Sequence, residues 1–167
     1  LQLLGEDGIK LTIVDDAERH SSYVEDVGPL PSYGFKLVRK LNLDGLVHFT
    51  GRLTQEELVK CYSTAKIAVV PSLYEGFGLP AAEAMACGIP VIATTGGALP
   101  EVVGNAGILV PPGKADALAV AIKQLLNDKE TQRRMSEAGR KRVEEKFNWE
   151  QAAIRTLEVY QEVLTTR

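Results

Sequence analysis

Five short apolar stretches, at residues 10–14, 46–50, 67–71, 90–94 and 108–111, punctuate the chain and predict strands. The first, Lys10-Leu11-Thr12-Ile13-Val14, reads as a buried strand that ends in Asp15-Asp16. Helical spacing fills the intervals. Phe35, Leu37, Val38, Leu41 and Leu43 predict an amphipathic helix. Thr54, with Glu57 three residues on, makes a capping box for a helix running to about Ser63. Residues 79–86 and 99–103 predict two more helices. From Lys114 the pattern is helical: to about Asn127, then 129 to about 146, then from Asn148 or Trp149 to Leu164. Residues 17–33 carry Ser21-Ser22, Gly28-Pro29 and Pro31 and predict a loop. Strands alternating with helices imply the α/β class, a Rossmann-like parallel sheet with helices on both faces. The whole chain, residues 1–167, reads as a single domain with the helices of about 114–167 packing on it.

The third apolar run, Ile67-Ala68-Val69-Val70, empties into Pro71-Ser72-Leu73-Tyr74-Glu75-Gly76-Phe77-Gly78, and a helix start follows at Leu79-Pro80. A helix N-terminus leaves backbone N–H groups without partners and carries about half a positive charge, which favours an anion. Gly76 and Gly78 have no Cβ, so a ligand can approach the main chain there. Pro80 suits the beginning of a helix, where its missing N–H costs nothing. Two carboxylates flank this bare backbone, Glu75 on the turn and Glu83 in the helix. Neither would hold phosphate, but each would accept hydrogen bonds from hydroxyls, as an acidic residue does from a ribose in dinucleotide folds. An anion that carries hydroxyls fits this arrangement, and a sugar nucleotide is one.

Composition narrows the classes further. The net charge of −3 supplies no basic field for nucleic acid or an anionic membrane. No apolar run approaches the ~20 residues of a membrane span, and no signal peptide opens the chain. Cys61 and Cys87 have no metal-ligand spacing and predict a reduced, cytoplasmic setting. Both read as small buried residues.

The segment Pro71-Ser72-Leu73-Tyr74-Glu75-Gly76-Phe77-Gly78-Leu79-Pro80-Ala81-Ala82-Glu83, with its E-x7-E spacing, continues as Ala84-Met85-Ala86-Cys87-Gly88-Ile89-Pro90-Val91. It resembles the signature of the C-terminal, donor-binding domain of retaining glycosyltransferases of family four, which have the GT-B fold. The likeness extends to Val47-His48-Phe49-Thr50-Gly51-Arg52-Leu53, to Thr94-Thr95-Gly96-Gly97-Ala98-Leu99-Pro100-Glu101, to Val110-Pro111-Pro112 and to Phe147-Asn148-Trp149-Glu150. The resemblance implies a hexosyltransferase that takes a nucleoside-diphosphate sugar, retains anomeric configuration and uses neither metal nor cofactor. It places Glu75 on the transferred sugar as the catalytic residue and Glu83 on the ribose. Gly76, Phe77, Gly78 and Leu79 would offer amides to the donor, and Gly51, Arg52 and Leu53 would face the base. It also implies a partner N-terminal GT-B domain for the acceptor and a first strand preceding Leu1, with an Arg and a Lys for the diphosphate. The chain alone is therefore expected to be inactive. A lipid acceptor would place the work at the cytoplasmic face of a membrane.

Each of these residues has a plainer reading. Glu75 could be a solvated loop carboxylate, Glu83 a complement to the helix dipole, and Gly76 with Gly78 a tight connection. Thr95, Gly96 and Gly97 either close the same cleft or form a simple turn, and Glu101 reads as structural. His20 and His48 have no partners at catalytic spacing. Arg133-Arg134 and Arg140-Lys141-Arg142 alternate with Glu137, Glu144 and Glu145 and read as a solvated helix face. Trp149 is expected to pack the final helix onto the domain.

Other classes remain in view. A glycoside hydrolase would need a protonated carboxyl, and the positive end of a helix beside Glu83 favours the anion instead. A dinucleotide oxidoreductase would need G-x-G-x-x-G, and Gly76-x-Gly78 lacks the third glycine. A non-catalytic nucleotide-binding or assembly domain is the third alternative.

Overall fold

The computed structural model describes residues 8–14 and 30–165, with only the backbone described at residues 30–33. The expectations for Asp15-Asp16, His20 and most of the predicted loop lie outside these residues. The chain divides into two compact units, residues 1–60 and 61–167.

In the first unit, β1 (Leu11–Ile13) and β2 (Val47–Phe49) pair in parallel, Leu11 opposite Val47 and Ile13 opposite Phe49. Parallel neighbours need a crossover, and α1 (Leu30–Lys40) supplies it. Phe35 on α1 meets Phe49 on β2 with ring centroids 4.4 Å apart, and Gly34 leaves room for that ring. The helix stops where Asn42 turns left-handed at φ 53°, with the Leu43 amide donating to Val38 O and the Asn42 amide to Arg39 O. That is a Schellman ending with asparagine in the position glycine usually takes.

Two expectations are corrected here. The helix begins at Leu30, inside the stretch read as loop, because Pro31 falls at its second residue, where no N–H is required. The turn-forming look of Gly28-Pro29 and Pro31 concealed a helix start. The first strand is also less covered than its apolar run suggested: Leu11 is 37 % exposed and Thr12 is exposed.

The capping box at Thr54 forms as its residues predict. The Glu57 carboxylate accepts from the Thr54 amide at 2.8 Å, and the Glu57 amide donates to Thr54 Oγ1 at 3.3 Å, starting α2 (Gln55–Thr64).

The second unit carries a three-stranded parallel sheet in the order β3 (Ala68–Val70), β4 (Val91–Thr94), β5 (Ile108–Val110). The central strand is buried along its length, and its alternation sorts the core into two layers. Val91 and Ala93 point to a cluster with Met85, Leu99, Val102 and Val103, contributed by α3 (Leu79–Ala86) and α4 (Leu99–Val103). Ile92 points the other way, to Ala121 and Leu125 of α5 (Ala115–Asn127) and Met135 of α6 (Lys129–Lys146). Helix α3 is apolar nearly all round and made of small residues, so it lies close to its neighbours. A Cβ on Gly139 of α6 would stand 3.2 Å from Met85 Cγ.

The last helix, α7 (Trp149–Thr165), buries none of its residues, and Trp149 is 91 % exposed. The expectation for Trp149 is thus overturned. The chain turns at Asn148, whose side chain accepts from the Gln151 amide at 2.8 Å, and Phe147 takes the inward position that Trp149 was expected to fill. Cys61 and Cys87 are half-buried, not buried.

Candidate functional site

The chain leaves β3 at Val70, and the loop that follows is pinned at three points before α3 begins. Ser72 Oγ donates to Glu75 Oε1 at 2.6 Å, so the carboxylate has a fixed direction on a half-buried residue. The Ala98 amide donates to the Glu75 carbonyl at 2.9 Å, tying this loop to the one after β4. Between them Gly97 adopts φ 62°, and a Cβ there would fall 2.2 Å from Glu75 O. Gly96 is as tightly placed, with its would-be Cβ 2.4 Å from Leu73 O. Both glycines are therefore demanded by contact between two loops at the strand ends.

Thr94, the last residue of β4 and 3 % exposed, joins the same loops through one hydroxyl. Its Oγ1 donates to the Ser72 carbonyl and accepts from the Gly96 amide at 3.3 Å. Thr94 also lines a cleft of about 230 Å³ with Pro71, Val110, Pro111, Lys114 and Leu118, beyond the carboxyl ends of all three strands. Crevices of this position are where open α/β sheets take their ligands.

Gly78 enters α3 as its N-cap with φ 95°, a left-handed conformation closed to other residues without strain, and no side chain caps the helix. The Gly78 carbonyl accepts from the Ala81 and Ala82 amides, and Pro80 has no N–H, so the exposed Leu79 presents the first-turn amide not committed to that carbonyl. Phe77 is half-exposed and meets Phe147 edge-on at 5.9 Å, which anchors the bare backbone on its far side. Glu83 lies one turn into α3, half-buried. The Tyr62 hydroxyl reaches Glu83 Oε2 at 3.4 Å and Pro80 O at 3.3 Å. Burial, then the Glu83 charge and hydrogen bond, push the Tyr62 phenol well above its ordinary range, so it stays a protonated donor.

Glu75, Gly76, Phe77, Gly78, Leu79 and Glu83 thus share one loop-and-helix element of the second unit. Gly51, Arg52 and Leu53 lie in the first unit, just past β2, with Gly51 at φ 67° and Arg52 exposed. Ser72, Thr94 and Tyr62, which hold the site's carboxylates and loops, carried no spacing that marked them in the sequence. Thr94 and Tyr62 find their partners about twenty residues away in the chain, and Ser72 meets Glu75 only three residues on, through a loop conformation that neighbouring residues do not announce.

The arginine-rich face of α6 is not wholly solvated. Arg133 does pair with Glu130 and Glu137 at the surface, at 2.7 and 3.0 Å. Arg142, however, donates to Val102 O at 2.8 Å and Glu101 O at 2.7 Å, and Arg140 to Cys87 O at 3.3 Å. These are terminal carbonyls of α4 and α3, where a cation complements the negative end of the helix.

A parallel α/β sheet with a glycine-shaped loop, an uncapped helix N-terminus and carboxylates at its strand ends defines a Rossmann-like domain of the GT-B kind. The family model for group 1 glycosyl transferases matches residues 3–142, and the chain belongs to that family. It is 42 % identical over 132 residues to the MMP alpha-(1->4)-mannosyltransferase of Mycolicibacterium hassiacum, covering 77 % of this chain and 32 % of that protein. It is 37 % identical over 126 residues to the O-antigen chain mannosyltransferase B of Escherichia coli, covering 75 % of this chain and 33 % of that protein. The sucrose-phosphate synthase of Thermosynechococcus elongatus superposes with a TM-score of 0.80 at 39 % identity, over 95 % of this chain and 39 % of that one. The chain spans about a third of the length of the curated relatives it matches. Among the described residues no helix is long and apolar enough to cross a membrane.

Proposed function

We propose that this chain is the donor-binding domain of a retaining hexosyltransferase that uses a nucleoside-diphosphate sugar. The observation that carries the reading is the 2.6 Å hold of Ser72 on Glu75, at the head of a loop that runs through left-handed Gly78 into an uncapped helix. Glu75 accepts hydroxyls of the transferred sugar and Glu83 those of the ribose. The amides of Gly76, Phe77, Gly78 and Leu79, with the positive end of α3, take the charge that grows on the diphosphate as its bond to the anomeric carbon breaks. Gly51, Arg52 and Leu53 face the base. Two relatives named as mannosyltransferases favour a hexosyl group. The reaction needs no metal or organic cofactor in this reading and takes place in the cytoplasm, with no role for nucleic acid. An N-terminal domain positions the acceptor, so the isolated chain binds donor weakly and does not turn it over.

Isothermal titration against UDP, GDP and ADP tests this. Binding of one diphosphate that Glu83→Ala abolishes is expected. No binding to any of the three, or binding indifferent to Glu83, overturns the proposal. A chain that binds a diphosphate while the whole protein transfers no sugar would support the non-catalytic alternative.

A further inference from the structure

We propose that Ser72 and Thr94 are positioning residues that together set the direction of the Glu75 carboxylate, so that Glu75 reads the sugar and not the diphosphate. The proposal rests on the sugar-nucleotide reading above. Three contacts build it. Ser72 Oγ donates to Glu75 Oε1 at 2.6 Å, inside the range of a strong hydrogen bond to an anion. The carbonyl of the same Ser72 accepts from the Thr94 hydroxyl, so the serine is held from behind by a residue that is 3 % exposed and rooted in the central strand. The Thr94 hydroxyl also accepts from the Gly96 amide at 3.3 Å, and two residues on the Ala98 amide fixes the Glu75 carbonyl at 2.9 Å. The backbone and the side chain of Glu75 are therefore both referenced to the end of β4.

The consequence is chemical. With one acceptor site of Oε1 taken by Ser72, Oε2 is the oxygen of Glu75 turned over in full to a ligand hydroxyl. A carboxylate free to rotate would pay side-chain entropy on binding, and one fixed beforehand does not. The amides of Gly76, Phe77, Gly78 and Leu79 do not depend on that rotamer. Loss of the serine hydroxyl should thus weaken the hold on a sugar while leaving the hold on a bare diphosphate intact. A merely structural role would weaken both together.

The test uses the full chain with UDP, GDP and ADP, each beside its conjugate UDP-glucose, GDP-mannose or ADP-glucose. For the diphosphate that binds, Ser72→Ala should weaken the conjugate roughly tenfold, the worth of one charged hydrogen bond, and leave the bare diphosphate within about twofold. Ser72→Thr should restore the conjugate. Thr94→Val should reproduce Ser72→Ala and speed hydrogen exchange at the Gly96 amide, and Thr94→Ser should do neither. Equal weakening of both ligands by Ser72→Ala, with an unchanged circular dichroism spectrum, overturns the inference. If the wild-type chain binds none of the six, the proposed function falls, and crystal structures of the wild type and Ser72→Ala then decide the positioning role by itself. A displaced Glu75 carboxylate in the variant supports it, and an unmoved one overturns it.

Discussion

The Arg142 guanidinium lies against Gly104, and a Cβ on that glycine would stand 2.5 Å from Arg142 Cζ. Gly104 closes α4 at φ 55°, and the absent side chain is what lets the arginine of α6 reach the Glu101 and Val102 carbonyls. The two residues form one device: the glycine ends the short helix and the cation satisfies its last acceptors.

Gly104→Ala should therefore destabilise by about 2–3 kcal/mol, through a strained backbone and a displaced guanidinium. Arg142→Ala should cost about 1–2 kcal/mol by leaving the two carbonyls without their charged donor. The double variant should cost less than the sum, because each single change already breaks the same contact. Urea unfolding of the four proteins measures all three expectations, and strict additivity would refute the shared origin.

Gly97→Ala places a methyl 2.2 Å from the Glu75 carbonyl and 2.9 Å from its amide, both backbone atoms that cannot swing aside. The Glu75 loop has to move. A stability loss of about 2–3 kcal/mol is expected, together with loss of diphosphate and sugar-nucleotide binding in titration calorimetry. Gly45 makes the control, since its φ is also positive, at 81°, but a Cβ there meets nothing within 4 Å and it lies outside the cleft. Gly45→Ala should strain the backbone only and leave binding unchanged.

Tyr62 gives the chain a dependence on alkaline pH. Its phenol is held above the ordinary value of 10.0 in the folded state, by burial first and by Glu83 second. Unfolding releases the group to that ordinary value. Above pH 10 the unfolded state therefore binds fewer protons than the folded one, and stability falls as pH rises. Below pH 10 both states are protonated and the contribution is constant. Melting temperatures of wild type and Tyr62→Phe followed from pH 8 to about 11.5 should separate only above the phenol's ordinary value, with the wild type falling more steeply. Parallel curves would show that Tyr62 is not held as described.

Trp149 is the single tryptophan, so its fluorescence reports one site. At 91 % exposure its emission should be that of an indole in water and acrylamide should quench it almost as well as free tryptophan. A blue-shifted, protected emission in this chain would contradict the position of Trp149 at the start of α7.

Local signals in the chain were strong wherever the chemistry was local. The capping box of Thr54 and Glu57 spans three residues, and the apolar runs at 67–71, 90–94 and 108–111 needed only composition to be read as strands. The loop-to-helix turn at Gly78 and Pro80 was legible for the same reason, since backbone freedom and a missing N–H are properties of single residues. The start of α1 was missed because proline is used both in turns and in first helical turns, and neighbours alone do not separate the two uses.

What the chain could not disclose in one dimension is whom each polar group meets. Arg140 and Arg142 follow the same charge pattern as Arg133, yet two of these three reach across to helix ends more than fifty and forty residues away in the chain, 53 and 41, and the third pairs locally. Trp149 and Phe147 stand two residues apart, and only the bend at Asn148 sends one inward and the other to water. Periodicity and turn chemistry act over one or two turns of chain, so residue order alone dictated the succession of strands and helices, and the glycines and carboxylates at one loop. The partners of Thr94, Tyr62 and Arg142 were settled by packing, because a hydrogen bond depends on distance in space, and folding brings together groups that sequence holds far apart.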